Sequence, residues 1–320
     1  MSRPFPTSGQ LFLTDGGIET TLIFHHGIDL PHFAAFDLLK DAKGRDVLAR
    51  YYLPYLTIAQ ETGVGFILES PTWRANPDWA KRLGYSKGAL AAANKEAIQL
   101  MKELRLDFET RQTPIVISGC IGPRGDGYDP GTQMSIDEAE AYHREQITAF
   151  SETDADMVTA ITMTYTEEAI GLARAAKKMG MPVALSFTVE TDGRLPTGQS
   201  LADAIEQVDD ATMGYPSYYM VNCAHTSHFE KELAKGGAWT HRIRGLRANA
   251  SRMSHAELDE AEYLDDGNPR EFGHEHADLL DLLPNLSVIG GCCGTDHRHI
   301  KEIACRCMDK QKEMRSSAVA

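Results

Sequence analysis

Residues Ser287–His297 read SVIGGCCGTDH. An apolar run ends there in two adjacent cysteines set among glycines. Successive side chains of an extended strand point to opposite faces, so Cys292 and Cys293 cannot both enter one core while the strand stays regular. Gly290, Gly291 and Gly294 permit the dihedrals and the close backbone approach of a turn. A strand that breaks into a turn at that point lets neighbouring sulfurs reach one ion.

Seven similar apolar runs precede it. They are LFLTDGG from Leu11, GVGFILES from Gly63, TPIVISGC from Thr113, ADMVTAITM from Ala155, MPVALSFTV from Met181, SYYMVNCA from Ser217 and RIRGLRANA from Arg242; the eighth starts at Leu286. Such near-continuous apolarity suits strands buried on both faces of a parallel sheet. Helical patterns fall between the runs, at about 46–62 and 87–112. A third begins at Ser135, where Ser135 and Glu138 have capping-box spacing. TEEAIGLARAAKKMG follows, closed by Gly180, and then SLADAIEQV. The stretch 251–283 is read as a helix plus an irregular insertion around YLDDGNPREF, and 296–314 as a charged last helix with a fraying end.

Eight strand–helix units in succession predict an α/β fold, a (β/α)8 TIM barrel in one domain spanning 1–320. A doubly wound sheet is the runner-up, but no G-x-G-x-x-G follows a strand. No linker, internal repeat or low-complexity segment divides the chain.

Composition narrows the partners. The 320 residues carry a formal charge of −14, from 32 basic and 46 acidic side chains, without a basic run. Nucleic acid and anionic membrane both select clustered Lys and Arg, so neither is expected. The N-terminus lacks an apolar signal region and no stretch is long enough to cross a bilayer, so a cytoplasmic protein is expected. The sequence leaves homo-oligomer formation open. In a reducing compartment the six cysteines point to metal or catalytic chemistry more than to a disulfide framework.

Barrel active sites are built at the carboxyl ends of the strands. Cys223 ends the sixth run, and Cys292 and Cys293 end the eighth, so three sulfurs can converge on one face. Three protein ligands and an open fourth position describe a catalytic zinc site, and soft thiolates select zinc over magnesium or calcium. Cys120, Cys305 and Cys307 read as small buried apolar residues. Cys305 and Cys307 share a helix face poorly and make poor co-ligands. His225, His228, His297 and His299 read as loop or helix-face residues rather than ligands. His25 and His26 follow the first strand near the pocket mouth.

The segments VNC at 221–223, GGCCGT at 290–295 and TDGGIET at 14–20 resemble the homocysteine S-methyltransferase family, and SGCIGP at 118–123 looks like its third-strand motif. The likeness runs in order along nearly the whole chain. It implies a zinc-dependent barrel that methylates the thiol of homocysteine to give methionine. By that resemblance Cys223, Cys292 and Cys293 hold Zn2+. Asp15, Gly16, Gly17 and Asn222 match positions that hold or admit the acceptor. The donor is a small onium compound, S-methylmethionine first, with betaine and dimethylsulfoniopropionate behind it. A chain of one barrel lacks folate and cobalamin modules, so a self-contained methylfolate cycle is not expected, although a separate corrinoid protein remains open as a methyl donor.

The chain also departs from the family pattern. Ile161 stands where a fourth-strand glutamate contacts the acceptor's amino group. Glu19 and Thr21 replace a glycine and a glutamate of the first motif. Glu69 ends the second run where a neutral residue is usual, and either Glu69 or Glu19 is a candidate for the missing carboxylate. Trp73 and Tyr165 are candidates for an aromatic box around a cationic methyl. Two other readings stay open: the same chemistry on a different thiol or selenol, and a zinc-holding or redox-sensing barrel without turnover.

Overall fold

The computed structural model describes residues 5–261 and 263–319. Met1–Pro4, Glu262 and Ala320 lie outside it, and with them the start of the segment read for targeting and one residue of the region read as an insertion.

Eight parallel strands close a barrel in sequence order. They are β1 (Phe12–Leu13), β2 (Gly65–Glu69), β3 (Ile115–Ile121), β4 (Met157–Met163), β5 (Val183–Phe187), β6 (Tyr218–Asn222), β7 (Ile243–Ala248) and β8 (Val288–Gly291). The ring is sealed where Phe12 pairs with Gly65 on one side and with Val288 on the other. Each strand coincides with one of the eight apolar runs.

One helix follows each strand. They are α1 (Ala42–Thr62), α2 (Lys87–Phe108), α3 (Ile136–Ser151), α4 (Thr166–Lys178), α5 (Leu201–Thr212), α6 (Thr226–Leu233), α7 (Pro269–Leu279) and α8 (His297–Val319). Ser135 caps α3 with the expected reciprocal box, its side chain meeting the Glu138 N–H while Glu138 returns to the Ser135 N–H. Three helix ends differ from the sequence reading. The first helix begins at Ala42 because the Asp41 carboxylate accepts from the Gly44 N–H at 2.8 Å. The second stops at Phe108 because Glu109 turns extended and Thr110 closes a turn with Thr113. The last continues to Val319.

Strand alternation makes two cores. Outward residues such as Phe66, Leu68, Ile117 and Leu185 pack under the helices. Inward residues Phe12, Ile67, Val116, Met157, Ala184, Tyr218, Met220 and Val288 fill the lower barrel. Gly65 faces inward with no side chain, since a Cβ there would strike the Phe12 ring; Gly245 does the same for Met220. Nearer the carboxyl ends the inward positions turn polar: Thr14, Glu69, Ser118, Thr159, Ser186, Asn222 and Arg247, all buried.

Additional structure sits on the β-to-α connections of the mouth. Tight helical turns occupy 18–40, a short helix covers Pro77–Arg82 after β2, and His255–Glu260 forms another after β7. None of these was read from the sequence. Among the described residues no helix is long and apolar enough to cross a membrane.

Candidate metal centre and active site

The strand ends bring the three expected cysteines together. Cys223 leaves β6 with φ +54°, a left-handed conformation that non-glycine residues rarely adopt. Its backbone is held on both sides: the N–H donates to the Arg247 carbonyl at 3.1 Å, and the carbonyl accepts from His255 Nε2 at 2.7 Å. After β8 the chain breaks into a turn as expected. The Cys292 N–H donates to the Ala248 carbonyl, and the Cys292 carbonyl accepts from Thr295 Oγ1 at 2.7 Å. Gly294 takes φ +78°, and its N–H donates to Thr20 Oγ1. The two cysteines are thereby strapped between β1 and β7.

The ligand atoms of Cys223, Cys292 and Cys293 lie within 4.8 Å of one another. Cys223 and Cys292 are joined as a disulfide with Cα atoms 5.4 Å apart, and Cys293 Sγ stands 3.9 Å from Cys223 Sγ. Zinc–sulfur bonds of about 2.3 Å in a tetrahedron separate neighbouring sulfurs by about 3.8 Å. The donor set and its span therefore fit a zinc ion once the pair is reduced. Among the described residues this is the only such group.

Competing ligands are engaged elsewhere. His225 Nδ1 meets Ser227, His228 Nε2 meets the Arg252 carbonyl, and His299 lies between Asp296 and the Asp266 carbonyl. His25 Nε2 approaches Asp296 at 3.8 Å. Cys120 and Cys307 are buried as expected, whereas Cys305 is exposed. Cys305 lies on the outer face of α8, two positions from Cys307, which faces the core.

Beside the sulfurs lies a buried charged layer. Asp15 Oδ1 accepts from Arg247 Nη2 at 2.6 Å, and Oδ2 accepts from the Tyr51 hydroxyl at 2.9 Å. Burial raises the Asp15 carboxyl, while Arg247 and Tyr51 pull it back. Asp15 is thus already paired. Glu69 is 4% exposed, and its Oε2 has no hydrogen-bond partner among the described residues. Burial lifts its pKa to about 7, against the lowering pull of Arg247. Glu19, part-buried nearby, is also lifted to about 7 by burial, with Arg74 and Arg247 opposing.

Two further sets of expected positions also make contacts within the barrel mouth. Asn222 is spent on the strand ends. Its Oδ1 accepts from Ser186 Oγ at 2.6 Å and from the Thr162 N–H at 2.9 Å, and Nδ2 donates to Thr162 Oγ1 at 3.2 Å with Cys292 Sγ at 4.0 Å. Gly16 and Gly17 admit the β8 turn: a Cβ on Gly16 would come within 2.8 Å of the Thr295 carbonyl oxygen, and one on Gly17 within 2.6 Å of the Cys292 carbonyl oxygen.

The chain matches the family model described as homocysteine S-methyltransferase over residues 12–307. It belongs to that family. This homocysteine S-methyltransferase family member is therefore a methyltransferase. It is 22% identical to homocysteine S-methyltransferase 1 of Brassica oleracea var. italica over 92% of this chain and 93% of the relative. It is 26% identical to homocysteine S-methyltransferase YbgG of Bacillus subtilis over 70% of each. Its fold is similar to the homocysteine methyltransferase MmuM from Escherichia coli. The oxidized form aligns with TM-score 0.70 at 19% identity, and the metallated form with 0.69 at 18%, each over 93% of this chain and 96% of the other.

In this family member the departures have clear places. Ile161 packs with the apolar lower barrel, leaving no carboxylate on that strand end. Trp73 lies at the mouth, against Gly122 and Gly127, and Arg74 stacks on it at 4.1 Å. Tyr165 is withdrawn from any aromatic box, since its hydroxyl accepts from the Met134 N–H at 3.0 Å. Sequence reasoning missed Arg247, Tyr128 and His255. Arg247 was in view, as the only charged side chain near the end of its apolar run; Tyr128 lies on a loop and His255 opens the short helix after β7, neither with a periodic signal.

Proposed function

We propose that this methyltransferase moves a methyl group from a small onium donor to the thiol of homocysteine, with a zinc ion held by Cys223, Cys292 and Cys293. The observation that carries this reading is the convergence of three sulfurs from two strand ends within 4.8 Å of one another. A zinc ion bound there supplies the positive charge that keeps a coordinating thiol deprotonated at neutral pH. Everything else falls to the chain's own side chains. Three cysteine thiolates leave the centre with excess negative charge, which draws in a sulfonium or ammonium donor. The buried surroundings strengthen that attraction, and the barrel mouth aligns methyl and sulfur for in-line transfer.

Glu69 is our candidate for the acceptor's ammonium. It carries a buried carboxyl oxygen without a partner among the described residues, whereas Asp15 is paired with Arg247. Asp15 then serves by holding Arg247 and the β1 turn in place. A different thiol acceptor is the second reading, favoured by the apolar Ile161.

One panel tests both. Reduced, zinc-loaded protein is incubated with homocysteine or other thiols and isotopically methyl-labelled donors, and products are read by mass spectrometry. Labelled methionine is expected. Methylation of another thiol with none of homocysteine would overturn the first reading in favour of the second. Cys223→Ser, Cys292→Ser and Cys293→Ser are each expected to lose stoichiometric zinc.

A further inference from the structure

One aromatic side chain crosses the mouth from the β3–α3 loop to the sulfur cluster. The Tyr128 hydroxyl lies 3.3 Å from Cys293 Sγ. Its ring stacks on His255, with centroids 3.9 Å apart and planes 20° from parallel. His255 comes from the connection after β7 and is itself anchored. Its Nε2 donates to the Cys223 carbonyl, and Nδ1 faces Glu190 Oε1 at 3.2 Å, on the segment after β5. Three β-to-α connections thus converge to fix one hydroxyl on one sulfur.

The inference rests on the zinc-thiolate reading above. That site presents several sulfurs of similar character to one electrophilic methyl. Reaction at a cysteine would destroy the centre: a Cys293 lone pair attacks the methyl carbon, the donor's carbon–onium bond breaks, and its electron pair leaves with the neutral product. Cys293 would then be an uncharged thioether and a poor ligand. A thiolate has no proton to give, so the phenol must donate. A hydrogen bond donated into a thiolate ties up a lone pair and lowers its reactivity.

We propose that Tyr128, steadied by His255, protects Cys293 from methylation and so directs the methyl to the acceptor sulfur. Asn222 Nδ2 donates to Thr162 Oγ1 at 3.2 Å and lies 4.0 Å from Cys292 Sγ, a weaker counterpart on the neighbouring cysteine.

The test uses the full chain, reduced and loaded with zinc or cobalt(II), with iodomethane as the probe so that donor identity does not matter. Peptide mass spectrometry follows methylation at each cysteine over time. In Tyr128→Phe, which removes only the hydroxyl, methylation of Cys293 is expected to speed up roughly tenfold relative to wild type, the scale of one hydrogen bond to a charged group. The sulfur-to-cobalt charge-transfer band is expected to shift as well. His255→Gln keeps a donor for the Cys223 carbonyl but removes the stack; it should give an intermediate rate, and it decides the matter should Tyr128→Phe fail to hold metal. Equal Cys293 rates in wild type and variants, with an unmoved band, would overturn the proposal and leave the methyltransferase reading standing. A reduced wild-type protein that holds neither metal would overturn both.

Discussion

Glu69 is where stability and binding pull in opposite directions. Its carboxyl is buried with one oxygen unpartnered among the described residues, and burial raises its pKa from 4.5 to about 7. A raised folded-state pKa favours the protonated form. The contribution to stability is complete below about pH 4.5 and is lost as pH climbs to about 7. Glu69→Gln mimics the protonated group. It is expected to unfold at a higher temperature than wild type at pH 8, with the difference shrinking toward pH 5, as differential scanning calorimetry would read. The same substitution removes the charge proposed to meet the acceptor's ammonium, so the acceptor KM is expected to rise about tenfold or more. A variant with lower stability at pH 8 and an unchanged KM would remove Glu69 from the binding role. Arg247 shows why such roles are hard to read along a chain: its partner Asp15 is 232 positions away, and only ring closure makes them neighbours.

At the scale of elements, the seam between β1 and β8 is closely packed at the barrel mouth. A Cβ on Gly290 would overlap Thr14 Oγ1. Gly290→Ala is expected to cost about 1–3 kcal/mol, the usual scale of overpacking. Thr14→Ala in the same chain should recover part of that loss in a double-mutant cycle read by urea unfolding. Additive effects would place the strain elsewhere. The strands were legible in the sequence because a parallel sheet covered on both faces leaves unbroken apolar runs, and Ser135 marked its helix because capping is local chemistry. The mouth connections were not. Their turns at 18–40, the Pro77–Arg82 helix and the Tyr128 loop are held by contacts between distant loops, which leave no period in the sequence. The three clustered cysteines were legible since two strand ends carried them; Asn222 was marked as a substrate contact, and its amide bridges β4, β5 and β6.

For the whole molecule, a metal that binds only the folded, reduced state must stabilise it. Zinc at a hundred times its dissociation constant adds about 2.7 kcal/mol. Reduced protein is therefore expected to show a rise in Tm on adding zinc, reversed by a chelator. Protein kept as the Cys223–Cys292 disulfide, with two of its three donors consumed, should show little or none. An equal rise in both forms would mean that the ion binds at some other place.

The distribution of the three sulfurs between β6 and β8 has a consequence for biosynthesis. A nascent chain that has emerged only through β7 carries Cys223 and most of the barrel wall, but it lacks both Cys292 and Cys293. The centre comes into being only when the last strand docks between β7 and β1. On the proposed zinc reading, the ion can be acquired only once the ring is complete, and a ribosome-bound fragment cannot capture metal prematurely with this set of cysteines.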